Sequence, residues 1–240
     1  MDNIKDYKIT VIGDSVSKGV ILKDGKVQKL ETNAIKIIEN YYNITIENNS
    51  LFGQSLKRVY QKQMIDNYIK KVNKNDNNLL IISLGGNDSD YDWPNVAETP
   101  NDFHTSKTPI EEFQDYLDKI TSQLIDNNIK VMFTTLFPIN SDRYFRNIIS
   151  KTADKEKVLE FLHQDVSNIY RHQELFNDII CYNANKYNCK VIDIRSFFLL
   201  SVNYLDYVAD DGIHPNEKGQ RFIAQTIINQ LEKSYKLIAG

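Results

Sequence analysis

Short runs of apolar residues alternate with longer amphipathic segments along the chain. The apolar runs occupy residues 8–12, 44–47, 79–84, 130–135 and 190–194. They are hydrophobic almost throughout rather than at every second position, which is typical of parallel strands that are covered on both faces. The pattern therefore predicts five buried parallel strands.

The segments between these runs carry apolar residues at spacings of three and four, which predicts helices. They cover residues 31–42, 55–72, 165–188 and 217–235, together with a segment that starts at residue 108. In that last segment we expect Thr108 to be the N-cap, Pro109 the first helical residue, and Glu111 the partner in a capping box.

The order strand, helix, strand repeats along the whole chain, with no internal repeat or linker. It predicts one α/β domain over residues 1–240, with helices on both sides of a parallel sheet. Two connections are unusually long, at residues 85–107 and 137–153, and loops of that length are usually functional. Since ligands of open α/β sheets bind beyond the carboxyl ends of the strands, we expect the site there.

Charge and composition exclude several classes of function. The formal net charge of −3 leaves no basic footprint for nucleic acid, and no polybasic block suits a membrane surface. The N-terminus lacks a secretion signal and no apolar run approaches a membrane span, so we expect a cytoplasmic protein.

Cys181 and Cys189 have no metal-type spacing and are expected to be structural thiols. Oligomeric state leaves no trace in the sequence.

Four polar, glycine-containing segments follow a predicted strand or precede the last helix. They are "GDS" at residues 13–15, "NNSLFGQS" at 48–55, "GGND" at 85–88 and "DGIHP" at 211–215. The topology brings all four to one edge of the sheet. Together they hold a hydroxyl, a base, an acid and unobstructed amide donors, which are the parts of an acyl-transfer site.

Each part has a physical role. The hydroxyl of Ser15 is a poor nucleophile until a base takes its proton, and His214 is the candidate base. Asp211, three residues earlier, is placed to orient that imidazole, and this spacing favours it over the adjacent Asp210. The developing oxyanion needs donors, for which the candidates are the amides of Ser15 and Gly53 and the side chain of Asn87.

In content and chain order, these four segments resemble the nucleophile, glycine, asparagine and Asp-x-x-His blocks of the SGNH (GDSL-like) hydrolases. The resemblance spans nearly the whole chain, and Val16 stands where a leucine often follows "GDS". It implies a three-layer α/β/α, flavodoxin-like fold and esterase, lipase or acyl-transfer chemistry without a metal or cofactor. By position, Ser15 is then the nucleophile, His214 its base and Asp211 the orienting acid, with Ser15, Gly53 and Asn87 forming the oxyanion hole.

The two long connections supply candidate substrate contacts. The alternating acids of "NDSDYD" suggest a calcium loop, but Trp93 and Thr99 occupy the positions that need a glycine and an acid, so we expect no metal there. Acids beside aromatic rings suit a hydroxyl-rich ligand such as a sugar. The candidate substrate-binding residues are Asp14, Asp90, Tyr91, Trp93, His104, Arg143 and Tyr144.

The sequence thus predicts a serine esterase that hydrolyses small acyl esters through an acyl-enzyme on Ser15, with O-acetyl groups on carbohydrates as one candidate substrate. Its partner is then a small-molecule ester, with no nucleic acid and no membrane. Two alternatives use the same fold: a non-catalytic protein that binds a carbohydrate or another ligand, and an acyltransferase. A metal-dependent phosphoesterase is disfavoured, because the chain has no Gly-Asn-His motif.

Overall fold

A computed structural model describes residues 4–23 and 26–236. The strands in these residues are β1 (Lys8–Gly13), β2 (Val20–Lys23), β3 (Lys26–Lys29), β4 (Ile46–Asn48), β5 (Asn78–Ser83), β6 (Lys130–Thr134) and β7 (Lys190–Ile192). All but β2 and β3 form one parallel sheet in the order β4-β1-β5-β6-β7. This is the flavodoxin-like order, and it confirms the predicted fold class and the five predicted strands.

Helices cover both faces of the sheet. They are α1 (Ser15–Lys18), α2 (Ala34–Tyr42), α3 (Leu56–Gln61), α4 (Met64–Lys71), α5 (Trp93–Glu98), α6 (Ile110–Asp126), α7 (Ser141–Tyr144), α8 (Ser150–Thr152), α9 (Lys155–Phe161), α10 (Ser167–Lys186), α11 (Arg195–Leu200) and α12 (Glu217–Lys236). On one face, α3, α4, α6 and α10 bury an apolar cluster against the sheet, with Phe113 and Phe176 at its centre. On the other face, α2, α11 and α12 bury a second apolar cluster against the sheet, and this cluster includes Ile38, Phe198 and Ile223.

Two helix predictions are corrected by the structure. The single helix expected over residues 55–72 is two helices, α3 and α4, because Gln63 between them adopts a left-handed conformation with φ 52°. Thr108 is not an N-cap: α6 begins at Ile110 with Pro109 at the cap position and no side-chain capping bond. The hydroxyl of Thr108 instead donates to Asp88 Oδ1 at 2.6 Å, so a tertiary contact replaces the predicted capping box.

The long connections contain short helices that the sequence pattern did not predict. α5 lies in the first, whereas the second contains α7, α8 and a π-helix at Phe145–Ile149. These segments and α9 pack around a third apolar cluster that includes Trp93, Val96, Ile149 and Val158. Helices this short gain their stability from such packing rather than from propensity, which explains why periodicity missed them. The antiparallel hairpin of β2 and β3 was missed as well.

Within the described part of the chain, no helix combines the length and the apolar character needed to cross a membrane. Cys181 and Cys189 are both free thiols, and burial raises the pKa of each.

Candidate active site

The first strand of the sheet ends directly at the candidate nucleophile. β1 stops at Gly13, and Asp14 caps the following helix by accepting a hydrogen bond from the amide of Val16 at 2.9 Å. Ser15 is the first residue of α1 and is only 7% exposed. A rigid strand and a capped helix therefore hold the hydroxyl of Ser15 at the carboxyl edge of the sheet.

The turn before α12 brings a histidine and an aspartate to that hydroxyl. Asp211 Oδ1 accepts hydrogen bonds from the amides of Ile213 and His214, both at 3.0 Å. Asp211 Oδ2 lies 2.7 Å from His214 Nδ1, and His214 Nε2 lies 2.9 Å from Ser15 Oγ. Because Nδ1 faces a carboxylate, the proton of a neutral imidazole belongs there, which leaves Nε2 free to accept the proton of Ser15.

Burial and neighbouring groups shift the pKa values of Asp14 and Asp211 in opposite directions. Burial by itself raises the pKa of Asp211, but hydrogen bonds from His214 and Ile213 outweigh it and hold that pKa below its ordinary value. For Asp14, burial dominates over the amide of Val16 and the attraction of His214, and it raises the pKa from 3.8 to about 6. Asp211 is therefore the carboxylate that remains ionised beside the imidazole.

The three residues expected to form the oxyanion hole, Ser15, Gly53 and Asn87, all line one cavity. Gly53 has φ 65°, a conformation that favours glycine, and it lines the same cavity as Ser15. Asn87 Nδ2 donates to the carbonyl of Gln54 at 2.9 Å, which ties Asn87 to the turn that carries Gly53. Since an amide NH₂ has two hydrogens, one can hold this turn while the other serves a ligand.

These groups surround a cavity of about 140 Å³. Five of the candidate substrate-binding residues line it, namely Asp14, Asp90, Tyr91, Trp93 and Tyr144. Asp90 connects two other residues of the cavity wall. Trp93 Nε1 and the hydroxyl of Tyr144 both donate hydrogen bonds to its Oδ1, at 2.9 and 3.0 Å.

The other two candidate substrate contacts lie outside the cavity. His104 Nε2 lies 2.8 Å from the carbonyl of Thr99, and its ring packs edge-on against Phe161. Arg143 Nη1 donates to the carbonyls of Val208 and Leu205, in the segment that leads to Asp211.

The sequence reasoning missed Phe52 and Gln173, which also line the cavity. Phe52 is 54% exposed, and its ring is nearly parallel to that of His214, with centroids 6.3 Å apart. Its place directly before Gly53 was the available signal. Gln173 is buried in α10 and donates to the carbonyl of Phe137 at 3.2 Å, and nothing local in the sequence marks it.

The remaining acids of "NDSDYD" cap helices. Asp88 is fully buried and accepts hydrogen bonds from the amides of Leu56 and Lys57 at the start of α3, at 2.8 and 3.2 Å. Asp92 caps α5 through the amide of Asn95. Among the described residues, no group of three or more His, Cys, Asp or Glu side chains is arranged to hold a metal ion.

Comparison with known proteins places the chain in a family. The sequence model of the GDSL-like Lipase/Acylhydrolase family matches residues 11–222, nearly the whole chain. The chain belongs to this family. The match includes every residue of the GDSL-like constellation described above, from "GDS" to "DGIHP". A search of curated protein sequences gives no match.

Solved structures of GDSL-like and related esterases have the same fold at low sequence identity. A lipase/acylhydrolase from Enterococcus faecalis superimposes with a TM-score of 0.60 at 12% identity, over 94% of this chain and 96% of its own. An acetyl xylan esterase variant from Geobacillus stearothermophilus gives 0.62 at 18% identity, over 92% of each chain. A psychrotrophic esterase from Pseudoalteromonas gives 0.56 at 17% identity, over 96% and 99%.

Proposed function

We propose that this GDSL-like family member is a serine-dependent carboxylic ester hydrolase. The observation that carries the proposal is the continuous hydrogen-bonded chain from Ser15 Oγ through His214 to Asp211, with spacings of 2.9 and 2.7 Å. It joins a hydroxyl to a base and the base to an orienting carboxylate, which is the arrangement that nucleophilic catalysis by serine requires.

In the acylation step, Ser15 Oγ attacks the ester carbonyl carbon while His214 Nε2 takes the hydroxyl proton. Asp211 stabilises the imidazolium that forms. The negative charge moves to the carbonyl oxygen, where the amides of Ser15 and Gly53 and the side chain of Asn87 donate to it. The tetrahedral intermediate collapses, the C–O bond to the alcohol breaks, and Nε2 returns the proton to the leaving oxygen.

Deacylation repeats these steps with water. His214 Nε2 takes a proton from water as the water oxygen attacks the acyl carbon. The bond to Ser15 Oγ then breaks, and the proton passes from Nε2 to Oγ. The products are one alcohol and one carboxylic acid per ester, and Ser15 is restored.

We further propose small acyl groups as substrates, with O-acetyl groups on carbohydrates as the candidate class. Three features support this. The cavity is small, at about 140 Å³. Its wall combines the Asp90 carboxylate with the rings of Tyr91 and Trp93. One protein of the same fold is described as an acetyl xylan esterase.

The test compares the wild type with Ser15→Ala on p-nitrophenyl acetate, butyrate and octanoate, in the presence of EDTA. We expect turnover that falls with chain length and a loss of several orders of magnitude in kcat for Ser15→Ala. Ser17→Ala, two residues further along α1, is the matched control and should retain activity. An active Ser15→Ala variant would contradict the mechanism.

A second assay tests the substrate class. We expect acetylated xylo-oligosaccharides to give a higher kcat/KM than p-nitrophenyl acetate. If the wild type turns over neither compound and a fluorophosphonate does not label Ser15, the protein is a non-catalytic member of the family.

A further inference from the structure

One segment of the second long connection packs against the turn that carries His214. This segment, residues 140–147, comprises the cap of α7, α7 itself and the start of the π-helix, and we call it the 140–147 arm. The arm contacts the segment 205–212, which contains Asp211 and ends two residues before His214. The arm therefore touches the backbone on which the candidate base depends.

Three residues of the arm donate hydrogen bonds to carbonyls of that backbone. The amide of Asn140 donates to the carbonyl of Gly212 at 2.7 Å. Asn147 Nδ2 donates to the carbonyl of Asp210 at 2.5 Å. Arg143 Nη1 donates to the carbonyl of Val208 at 2.7 Å and to that of Leu205 at 3.1 Å.

The arm also packs tightly against the backbone of Gly212. Gly212 has φ 77°, and a Cβ placed on it would lie 2.5 Å from the carbonyl oxygen of Asn140 and 2.6 Å from the amide nitrogen of Tyr144. No other residue type fits this position without displacing the arm. The turn and the arm thus have one relative placement, and a shift of the arm shifts the turn.

Arg143 is the charged member of the arm. Within residues 4–23 and 26–236, the guanidinium of Arg143 forms no ion pair, and its hydrogen bonds go to the two carbonyls named above. Hydrogen bonds from a charged donor are stronger than those between neutral groups. Arg143 also lies outside the active-site cavity, so its contacts are with the turn rather than with a ligand.

We propose that Arg143 is a positioning residue for the candidate base: by binding the carbonyls of Val208 and Leu205, it holds the turn so that His214 Nε2 meets Ser15 Oγ. The inference rests on the proposed esterase function. A displacement of about 1 Å at a reacting group can lower a rate by about 100-fold, so a loosened turn should reduce kcat.

The test measures kcat and KM for p-nitrophenyl acetate, the rate of fluorophosphonate labelling of Ser15, and thermal unfolding. The variants are Arg143→Ala and Arg143→Lys. For Arg143→Ala we expect a 10- to 100-fold loss in kcat, a parallel loss in labelling rate, and a KM within about twofold. For Arg143→Lys, which keeps one charged donor, we expect an intermediate kcat.

The matched control is Arg146→Ala, since Arg146 belongs to the same arm but donates to the carbonyl of Asp142 within it. A readout that a purely structural role leaves unchanged is the low-field proton resonance of His214 Nδ1–H, which should broaden in Arg143→Ala and persist in Arg146→Ala. If Arg143→Ala does not fold, Asn147→Ala removes a second contact between the arm and the turn and should give the same pattern.

Three outcomes would overturn the inference: a raised KM with unchanged kcat, which indicates a substrate contact; wild-type kinetics with a lower unfolding temperature; or equal losses in Arg143→Ala and Arg146→Ala. Failure of the proposed function is a separate result, because it shows as a wild type without turnover or labelling. In that case the low-field resonance still reports whether Arg143 positions His214.

Discussion

The hydroxyl of Tyr144 donates a hydrogen bond to Asp90 Oδ1 at 3.0 Å, and this contact joins the two long connections that border the candidate active-site cavity. Burial and the negative charge of Asp90 raise the pKa of Tyr144, so the hydroxyl remains a donor at all physiological pH values. Trp93 Nε1 donates to the same oxygen, and Lys107 pairs with the other. One carboxylate therefore holds the cavity wall together.

Replacing Tyr144 with phenylalanine removes one of these bonds and keeps the ring. Because the acceptor is a carboxylate, we expect a loss of about 1.5–3 kcal/mol in the free energy of unfolding, measured in urea. Tyr182→Phe is the control, since Tyr182 is 72% exposed. Equal effects of the two substitutions would show that the bond to Asp90 contributes nothing.

Asp14 should make stability depend on pH. Its pKa is raised in the folded state from 3.8 to about 6, so between these values the folded protein binds a proton that the unfolded chain has lost. Stability therefore falls as pH rises through this window, by about 3 kcal/mol in total, and levels off above it. Asp14→Asn keeps a capping oxygen for Val16 but has no charge to bury.

We accordingly expect Asp14→Asn to gain stability relative to the wild type between pH 4 and pH 7, with the unfolding free energies measured at each pH. Contributions from titrating groups remote from Asp14 are common to both proteins and cancel in the difference. Asp92→Asn, at the exposed cap of α5, is the matched control and should follow the wild type. A pH-independent difference for Asp14→Asn would contradict the assignment.

Asp88 should be one of the most important polar residues for stability. It is fully buried and accepts three hydrogen bonds, from the amides of Leu56 and Lys57 and the hydroxyl of Thr108. Asp88→Ala leaves these donors unpaired, and we expect a loss of about 3–5 kcal/mol in unfolding free energy. Asp92→Ala removes a single exposed capping bond and should lose about 1 kcal/mol. Similar losses in the two variants would refute this ranking.

Phe52 should affect substrate binding but not stability. Its ring is 54% exposed, lies beside His214 and lines the cavity. For Phe52→Ala we expect a several-fold rise in KM for p-nitrophenyl esters, with the unfolding free energy within about 0.5 kcal/mol of the wild type. Phe103→Ala is the control, because Phe103 is 91% exposed and does not line the cavity. An unchanged KM for Phe52→Ala would remove Phe52 from the binding surface.

From the sequence alone, we could predict the order of the five sheet strands and of the longer helices between them, and the positions of the four polar segments. The apolar runs predicted the five parallel strands correctly. The signal is strongest in the inner strands β1, β5 and β6, because a strand covered on both faces leaves a continuous hydrophobic signature that is visible locally. The flavodoxin-like arrangement followed from resemblance and is confirmed by the strand order. Placement of Ser15, Asn87 and His214 near one another followed from topology, since the carboxyl ends of parallel strands share one edge.

Which polar side chains meet depends on the tertiary structure. Thr108 has the local features of an N-cap, yet its hydroxyl binds Asp88, twenty residues earlier in the chain. Arg143 was expected at the substrate and instead binds carbonyls more than sixty residues away. Gln173 reaches the cavity from the interior of α10. These outcomes depend on distances between residues far apart in sequence, and hydrophobic periodicity carries information only about near neighbours along the chain.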